Sequence, residues 1–326
     1  MKAIVYHQYG GPDNLTLAEV PRPVPKDNEV LVKIHATSIN SWDWDMIIGK
    51  PFLVRVLTGV SKPRKPIIGS DIAGVVEQAG KDVKYFKPGD EVFGDISGHG
   101  FGAFAEYVSV HEKALASKSP NVSFEDTAAL PQAGLLAVQA LRDKGQIKKG
   151  DNVLINGAGG SVGTLAVQYA KSKGAVVTCV DIAEKSDMLR ELGADHFIDY
   201  TREDYTAGTK QYDLVLDVIA HRTIADYKRA LTTKGRFVMI GGSMGGLLAQ
   251  MMFIQPLLNK FRSKQLGIHG FRPNRNDLDV LMQLCEKGTL KPVIDSIYPL
   301  SKTPEAFHHF GSGKFKGKII IKVSEV

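Results

Sequence analysis

Cysteine is scarce in this sequence, which has only Cys179 and Cys285 among its 326 residues. Two cysteines cannot form a framework of several disulfides, and they cannot supply a zinc lobe with four cysteine ligands. Such scarcity is typical of proteins from a reducing compartment. We therefore expect a cytoplasmic protein without a disulfide framework.

Long apolar runs are also missing. The most apolar late stretch, residues 247–258, is too short to span a membrane and contains Pro256 and two glutamines. The opening residues Met1-Lys-Ala-Ile-Val-Tyr6 lead directly into a predicted strand, so we expect neither a secretory signal nor a transit peptide. These features together predict a soluble protein with no membrane span.

Clustered positive charge is absent, although the formal net charge is +6. The lysines are scattered and no known nucleic-acid-binding motif is present, so we predict no nucleic-acid partner. Anionic small ligands, or simply a solvated surface, explain a scattered excess of lysine better. With 43% hydrophobic residues, the chain is long enough to bury the cores of two domains.

What the sequence does contain is a glycine-rich turn, Gly157-Ala-Gly-Gly-Ser-Val-Gly163, between a predicted strand and a predicted helix. Residues 153–155 form an apolar run typical of a buried parallel strand, and residues 162–170 place apolar side chains at helical spacing. Read as Ala-x-Gly-x-x-Gly, the turn is a variant of the dinucleotide-binding fingerprint, in which Gly160 admits a pyrophosphate and Gly163 lets the helix approach the strand. The residues of this turn that we predict to bind a nucleotide are Ala158, Gly159, Gly160, Ser161, Val162 and Gly163.

The same turn also matches Gly-x-Ser-x-Gly, the nucleophile elbow of α/β-hydrolases. In that interpretation Ser161 would be the nucleophile, and it would need an acid and then a histidine later in the chain. Asp217 and His269 occur in that order. The turn alone therefore leaves both a nucleotide-binding protein and a hydrolase open.

The residues after the turn favour the nucleotide. A second predicted strand ends in Asp181, 18 residues beyond Gly163, close to the interval of about 20 at which an acidic residue binds the ribose. The six predicted strands of this region comprise residues 153–155, 175–180, 197–198, 214–216, 237–240 and 266–269. Because helical segments alternate with these strands, we expect an α/β fold with a doubly wound parallel Rossmann sheet.

The change from strand-like to helix-like residue patterns along the sequence suggests where the domains begin and end. Residues 1–122 are β-rich, and glycines punctuate their short predicted strands, which is typical of a small barrel. A helical pattern runs from Phe124 to Ala140, so we place a domain boundary near residue 122. We expect residues 123–271 to form the dinucleotide-binding domain and residues 272–326 to return to the first domain.

Several longer motifs match one known superfamily over the whole chain. The matching segments are Asn40-Ser-Trp-Asp-Trp44, Ile68-Gly-Ser-Asp-Ile-Ala-Gly-Val-Val76, Phe86-Lys-Pro-Gly-Asp-Glu-Val-Phe-Gly94, Gly102-Ala-Phe-Ala-Glu-Tyr107, Ala129-Leu-Pro131 and Leu192-Gly-Ala-Asp195. With the glycine-rich turn, they resemble the medium-chain dehydrogenase/reductase superfamily, and specifically its zinc-independent quinone oxidoreductase branch, near the subgroup of reticulon-interacting mitochondrial proteins. The resemblance implies a β-rich GroES-like barrel as the catalytic domain, a Rossmann domain, and hydride transfer in the cleft between them.

The resemblance also bears on zinc. In zinc-dependent relatives a cysteine stands at the position of Asn40, a histidine at that of Ser70 and a second cysteine near Ala133. Zinc prefers thiolate and imidazole ligands, which these residues do not provide, so we predict no zinc site. A reductase without zinc needs either an oxyanion donor or a substrate that spreads its own negative charge, as quinones and α,β-unsaturated carbonyl compounds do.

The implied function is an NAD(P)H-dependent oxidoreductase that transfers hydride to a quinone or a conjugated carbonyl compound. Asn40 resembles the family's cleft asparagine, whose amide can face the nicotinamide or the substrate oxygen, but it could equally close a turn. Asp43 is a candidate proton donor or orienting acid, although an acid at this position could instead cap the following helix. A second class of protein stays open, a non-catalytic nucleotide-binding redox sensor or adaptor.

Residues near the expected ribose site disagree about the nicotinamide cofactor. Lys185 and Tyr200 resemble the pair that holds the adenosine 2′-phosphate in NADPH-using relatives, and Gly241 completes the cofactor-binding residues that the resemblance implies. Asp181, by contrast, would accept the ribose hydroxyls of NAD and repel a 2′-phosphate. The two effects nearly cancel, so we expect the protein to use both nucleotides, with a slight preference for NADPH that the resemblance implies.

Self-association is also implied by the resemblance. In the family the last strand of the nucleotide-binding sheet commonly pairs with its twin, and residues 265–269 could add such an edge. The apolar residues 247–258 would pack nearby in a homodimer, or they would cover the substrate cleft as a lid. We expect the homodimer.

Overall fold

The structure, a computed structural model, describes residues 1–242 and 264–324. The apolar stretch of residues 247–258, a predicted interface or lid, lies outside the described residues. The chain divides into two compact units. The first comprises Met1–Leu135, Pro273–Gly288 and Pro292–Val326, and the second comprises Leu136–Arg272 and Thr289–Lys291.

Strands and helices are numbered in chain order. The strands are β1 Lys2–Val5, β2 Thr16–Glu19, β3 Glu29–Ser38, β4 Asp71–Ala79, β5 Glu91–Asp95, β6 Tyr107–His111, β7 Leu115–Ser117, β8 Asn152–Asn156, β9 Val176–Asp181, β10 His196–Asp199, β11 Tyr212–Asp217, β12 Leu231–Met239, β13 Gln265–Ile268, β14 Ile294–Pro299 and β15 Lys318–Lys322. The helices are α1 Ser41–Ile48, α2 Phe52–Thr58, α3 Phe124–Ala128, α4 Pro131–Gln139, α5 Ser161–Ser172, α6 Ser186–Glu191, α7 Ile224–Ala230, α8 Arg275–Glu286 and α9 Thr303–Gly311. No helix within residues 1–242 or 264–324 has the length and apolar character that crossing a membrane requires.

The first unit is built around β3. Its sheet has the order β14-β15-β3-β4-β5-β7, and β6 also pairs with β3. β3 suits this central position because Val30, Val32 and Ile34 are β-branched and fully buried. β1 and β2 form a separate antiparallel pair. The β-rich fold predicted for this part of the chain is confirmed.

The second unit contains a six-stranded sheet in the order β10-β9-β8-β11-β12-β13. All neighbouring strands in it are parallel. At its centre, Val153, Leu154 and Ile155 of β8 are completely buried, as expected for a strand covered on both faces. The predicted doubly wound α/β sheet is confirmed, and sheets of this kind bind ligands beyond the carboxyl ends of their strands.

The helix predicted from Phe124 to Ala140 is interrupted. It consists of α3 and α4, and α4 begins at Pro131. Proline has no backbone N–H and disfavours the helical conformation in the residue before it, so a helix ends ahead of proline and can restart there. The helical spacing of apolar residues predicts helical structure here, but it does not predict the break.

The C-terminal strand β15 determines what surrounds the start of α1. β15 pairs antiparallel with β3, with Ile320 opposite Ser38 and Ile321 opposite Thr37. β14 pairs with the other edge of β15. Because β3 ends at Ser38 and α1 begins at Ser41, this register brings Lys318 to the turn between β3 and α1.

Candidate functional site

The glycine-rich turn lies between the end of β8 and the start of α5, at the carboxyl edge of the parallel sheet. Gly157 has a φ of 76°, a left-handed conformation that glycine adopts readily. The backbone N–H groups of Gly157 and Ala158 both donate to the carbonyl oxygen of Val180, at 3.0 and 3.2 Å. The turn is therefore fixed to the neighbouring strand β9 before α5 begins at Ser161.

Gly163 and Gly160 are glycines for different reasons. A Cβ atom on Gly163 would lie 2.2 Å from the carbonyl oxygen of Gly157 and 2.5 Å from Cα of Ala158, so only glycine lets α5 pack this closely. A Cβ atom on Gly160 would find its nearest neighbour, the Gly157 oxygen, at 3.6 Å, and the Gly160 φ of −89° suits any residue. Within the described chain, nothing requires glycine at position 160. A bare backbone there is what a phosphate needs in order to approach the N-terminus of α5.

Asp181 and Lys185, the residues with opposite predicted effects on the cofactor, form an ion pair. Nζ of Lys185 lies 3.5 Å from Oδ1 of Asp181, and both side chains are buried. Oδ2 of Asp181 accepts a hydrogen bond from the backbone N–H of Gly159 at 2.7 Å, and Oδ1 accepts one from that of Ile182 at 2.9 Å. The carboxylate thus supports the glycine-rich turn, and Lys185 balances part of its charge.

Tyr200 and Gly241 extend the candidate nucleotide site along the same edge of the sheet. Tyr200 follows β10, its side chain is 43% exposed, and its backbone N–H donates to the carbonyl oxygen of Asp181 at 3.3 Å. Gly241 follows β12, and its carbonyl oxygen accepts a hydrogen bond from the N–H of Ala220 at 3.0 Å. The predicted nucleotide-binding residues therefore all lie around the carboxyl ends of the strands.

The hydrolase interpretation requires an acid paired with a histidine. Oδ1 of Asp217 accepts a hydrogen bond from Asn156 at 2.8 Å, and Oδ2 accepts one from the hydroxyl of Tyr227 at 2.8 Å. Burial raises the pKa of Asp217. His269 is buried, and neither of its ring nitrogens has a hydrogen-bond partner in the described part of the chain. These contacts provide no acid–histidine pair, so they do not support a hydrolase.

A second candidate site lies in the first unit, at the turn between β3 and α1. Nδ2 of Asn40 donates to Oδ2 of Asp71 at 2.9 Å and to Oγ of Ser70 at 3.2 Å. Nζ of Lys318 donates to Oδ1 of Asn40 at 2.5 Å and to Oδ2 of Asp71 at 3.1 Å. We refer to this group of buried residues as the polar cluster, which comprises Asn40, Asp43, Ser70, Asp71, Asp95 and Lys318.

The polar cluster contains Asn40 and Ser70, two of the three positions that the resemblance assigns to zinc ligands, and the third, near Ala133, lies beside it. Asn40 and Ser70 are in contact, and Nε2 of Gln132, the neighbour of Ala133, lies 3.4 Å from Oγ of Ser70. These positions offer amides and a hydroxyl, and the ammonium of Lys318 already contacts Asn40. A zinc ion would lack its preferred ligands and would be repelled by Lys318, so the residues do not fit zinc. Across residues 1–242 and 264–324, no group of three or more His, Cys, Asp or Glu residues could hold a metal ion.

Asp43 lies in the first turn of α1 and is completely buried. Its Oδ2 accepts a hydrogen bond from the backbone N–H of Asn40 at 2.9 Å, a contact typical of an acid that caps a helix. Its Oδ1 has no hydrogen-bond partner among the described residues. Burial raises the pKa of Asp43 to about 8, Asp71 adds to the rise and Lys318 opposes it. Asp43 therefore holds a proton near neutral pH while it caps the helix.

Lys318 and Asp71 belong to the site, although no sequence motif identifies either of them as a site residue. Each is the first residue of a strand whose following residues are apolar and buried. A charged residue that leads into a buried strand is unusual unless it is paired. This signal points to a partner for each residue, but it does not identify the partner.

Comparisons with known proteins give matches over most of the chain. Residues 26–120 match a family model described as the alcohol dehydrogenase GroES-like domain, and residues 192–321 match one described as zinc-binding dehydrogenase. The chloroplast envelope quinone oxidoreductase homolog of Arabidopsis thaliana is 35% identical, over 99% of this chain and 98% of the relative. The 2-methylene-furan-3-one reductase of Solanum lycopersicum is 34% identical, over 98% of this chain and 79% of the relative. The mitochondrial NAD(P)H oxidoreductase RTN4IP1 of Homo sapiens is 32% identical, over 91% of this chain and 82% of the relative.

Solved structures with the same fold include two quinone oxidoreductases. That of Coxiella burnetii has a TM-score of 0.88 and 30% sequence identity, with 99% of each chain covered. That of Escherichia coli, in complex with NADPH, has a TM-score of 0.85 and 26% identity, with 99% of this chain and 100% of the other covered. The likeness therefore extends over both units of the chain.

Alanine at Gly160 and at Gly163 should have different effects. Gly160→Ala fits the free protein, so its Tm should stay close to that of the wild type, whereas NADPH affinity should fall at least about tenfold because the methyl group blocks the phosphate. Gly163→Ala should lower the free energy of unfolding by about 1–3 kcal/mol, because the added atom meets backbone. Thermal unfolding and NADPH titration measure both effects. Wild-type NADPH affinity in Gly160→Ala would disprove the assignment of the turn.

Asp43→Asn should stabilise the protein increasingly as the pH rises. Between its ordinary pKa of 3.8 and its folded pKa of about 8, Asp43 keeps a proton in the folded state that the unfolded chain releases, so stability is lost as pH rises through this window. Asparagine has no proton to release. The free energy of unfolding of the variant should therefore rise relative to that of the wild type by up to about 1.4 kcal/mol per pH unit.

Chemical denaturation at pH 5, 6.5 and 8 tests this expectation. Asp90→Asn is the control, because Lys87 lowers the pKa of Asp90 and its contribution should be constant over this range. A stability difference between Asp43→Asn and wild type that does not change with pH would show that Asp43 is ionised in the folded protein.

Proposed function

Because the chain belongs to the medium-chain dehydrogenase/reductase superfamily, in its quinone oxidoreductase branch, it is an NAD(P)H-dependent oxidoreductase, and we propose that it reduces quinones or α,β-unsaturated carbonyl compounds without zinc. The polar cluster carries the proposal, since Asn40 and Ser70 occupy two positions that the resemblance assigns to zinc ligands, and Asn40 is bonded to the ammonium of Lys318. Without a metal, the enzyme cannot polarise a simple carbonyl group as zinc does. Conjugated acceptors spread the incoming negative charge themselves. The name of the tomato relative, a 2-methylene-furan-3-one reductase, supports this substrate class.

The residues around the glycine-rich turn fit a dinucleotide. When bound, the nicotinamide supplies the hydride. In the chain itself, Gly160 leaves the backbone open, and the N-terminus of α5 presents N–H groups that suit a pyrophosphate. Asp181, Lys185 and Tyr200 lie at the carboxyl ends of β9 and β10, where sheets of this kind bind the adenosine ribose. We assign these residues to NADPH, with NADH as an alternative.

Asn40 and Asp43 are the catalytic candidates of the proposal. The amide hydrogens of Asn40 contact Asp71 and Ser70, so a substrate oxygen would compete with Ser70 for the longer of the two contacts. Asp43 holds a proton near neutral pH, which a reduced substrate needs once hydride has been added. We assign Asn40 to orienting the reactants and Asp43 to holding the proton.

The proposal extends to domains, assembly and location. Residues 1–122 and 272–326 would form the catalytic domain, and residues 123–271 the nucleotide-binding domain.

β13 ends the described sheet, which supports pairing with a second copy and therefore a homodimer. The scarcity of cysteine supports a cytoplasmic location, while two relatives are named as chloroplast and mitochondrial proteins.

A matched pair of acceptors tests the proposed function. We expect oxidation of NADPH with duroquinone and with 2-cyclohexen-1-one, but not with cyclohexanone, which lacks the conjugated double bond. Absorbance at 340 nm follows the reaction, and prior dialysis against a chelator should leave the rates unchanged. Tight NADPH binding without turnover on any acceptor would exclude the reductase and favour a redox sensor or adaptor.

Two substitutions should separate the effects of Asp181 and Lys185 on cofactor choice. Asp181→Asn keeps an acceptor for the N–H of Gly159 but removes the charge, so NADPH should bind about tenfold more tightly and NADH should change little. Lys185→Met should weaken NADPH selectively, because it leaves Asp181 unpaired. Dissociation constants for both nucleotides provide the measurement. A wild-type preference for NADH above about a hundredfold, or some 2.7 kcal/mol, would mean that Asp181 dominates.

A further inference from the structure

Lys318 is a buried lysine whose ammonium group is surrounded by acceptors. Its side chain is 2% exposed, and its Nζ donates to Oγ of Ser38 at 2.8 Å. It also donates to Oδ1 of Asn40 at 2.5 Å and to Oδ2 of Asp71 at 3.1 Å. The carbonyl oxygen of Ile39, at 3.5 Å, is a fourth and longer contact. An ammonium group has three hydrogens, so these four acceptors leave none of them free. Lys318 therefore acts through the residues that it binds and not by direct contact with a substrate.

Stability alone does not explain a buried ion pair at this position. Two charges must lose their water on folding, and apolar residues of similar size in their place often leave a protein equally or more stable. Ile319, Ile320 and Ile321, which follow Lys318 in β15, are buried apolar residues of that kind. In some proteins a buried ion pair instead fixes the arrangement of its neighbours, and the contacts of Lys318 are of that kind.

The neighbour whose arrangement Lys318 defines is Asn40. An ammonium group only donates, so Lys318 selects the amide oxygen of Asn40 as its partner. The amide nitrogen is then turned toward Asp71 and Ser70, both of which accept its hydrogens. The reversed amide would set an NH₂ group against the ammonium and an oxygen against a carboxylate. Lys318 thus permits only one of the two orientations of Asn40.

Lys318 is also the cation that balances the polar cluster. The cluster contains the carboxyl groups of Asp43, Asp71 and Asp95, and all three are buried. In the described ranges, no other cationic side chain forms an ion pair with any of them. Without Lys318, Asp71 would be a buried charge with no counterion.

We propose that Lys318 is a positioning residue of the active site, which holds the amide of Asn40 in the one orientation that serves the reaction. The proposal rests on the proposed function, because it assumes that Asn40 orients the reactants. Lys318, a side chain from the C-terminal strand β15, would hold the turn between β3 and α1 in place, as the metal does in zinc-dependent relatives.

Two variants of the full chain separate positioning from simple neutralisation of charge. Lys318→Met leaves Asp71 unpaired, so we expect a lower Tm and a lower kcat. Lys318→Met combined with Asp71→Asn removes both charges, so its Tm should return toward the wild-type value. We expect this double variant to bind NADPH like the wild type but to lose about 10- to 100-fold in kcat, because Asn40 is no longer held.

The control is Lys322→Met, which makes the same substitution at the other end of β15. Lys322 is 42% exposed and lies 3.7 Å from Glu125, so its loss should change neither Tm nor kcat. Recovery of both Tm and kcat in the double variant would overturn the proposal, since neutralising Asp71 would then be the whole role of Lys318. An unchanged kcat in Lys318→Met would overturn it as well.

A second readout keeps this proposal apart from the proposed function. The side-chain NH₂ of Asn40, assigned by its loss in Asn40→Asp, should give two sharp NMR signals in the wild type that broaden in the double variant. If the wild type reduces no quinone or enone, the proposed function fails, and this broadening still supports the positioning role. Identical Asn40 signals in the two proteins would refute that role, whatever the activity.

Discussion

The ion pair between Lys318 and Asp71 joins two distant parts of the chain. The residues are 247 positions apart in sequence, and their charged atoms lie 3.1 Å apart in the core of the first unit. The pair can form only if β15 pairs with β3, so the C-terminal strand and the turn at Asn40 depend on each other. Either charge left alone would cost about 3–5 kcal/mol, which makes the dependence strict. The same contact limits the chemistry, because an amide bound to an ammonium cannot replace zinc as a Lewis acid.

Much of the second unit could be predicted because its signals are local in sequence. Buried parallel strands are short apolar runs, and residues 153–155 show this directly. The different roles of Gly160 and Gly163 follow from their positions in the fingerprint, and the space around each glycine agrees with those roles. Pro131 marks the break between α3 and α4. The helical spacing of apolar residues continues across this proline, so the spacing alone does not reveal the break.

The pairing of side chains in the two candidate sites could not be predicted, because it depends on contacts that the sequence does not specify. Asp181 and Lys185 are four residues apart, and the sequence gives each a separate effect on the cofactor, although their side chains pair in the structure. Lys318 meets Asn40 only through the register of β15 with β3. The raised pKa of Asp43 results from complete burial, which depends on all the elements packed around it.

In the proposed reaction, hydride passes from a nicotinamide nucleotide to a conjugated acceptor in a site without a metal. The most direct measurement uses NADPH carrying deuterium at both C4 positions, 2-cyclohexen-1-one as the acceptor, and protein dialysed against a chelator. Mass spectrometry of the product locates the deuterium. The account predicts one deuterium at the β-carbon of cyclohexanone, in a yield that dialysis does not reduce. A product without deuterium, or one that forms only after zinc is added back, would contradict it.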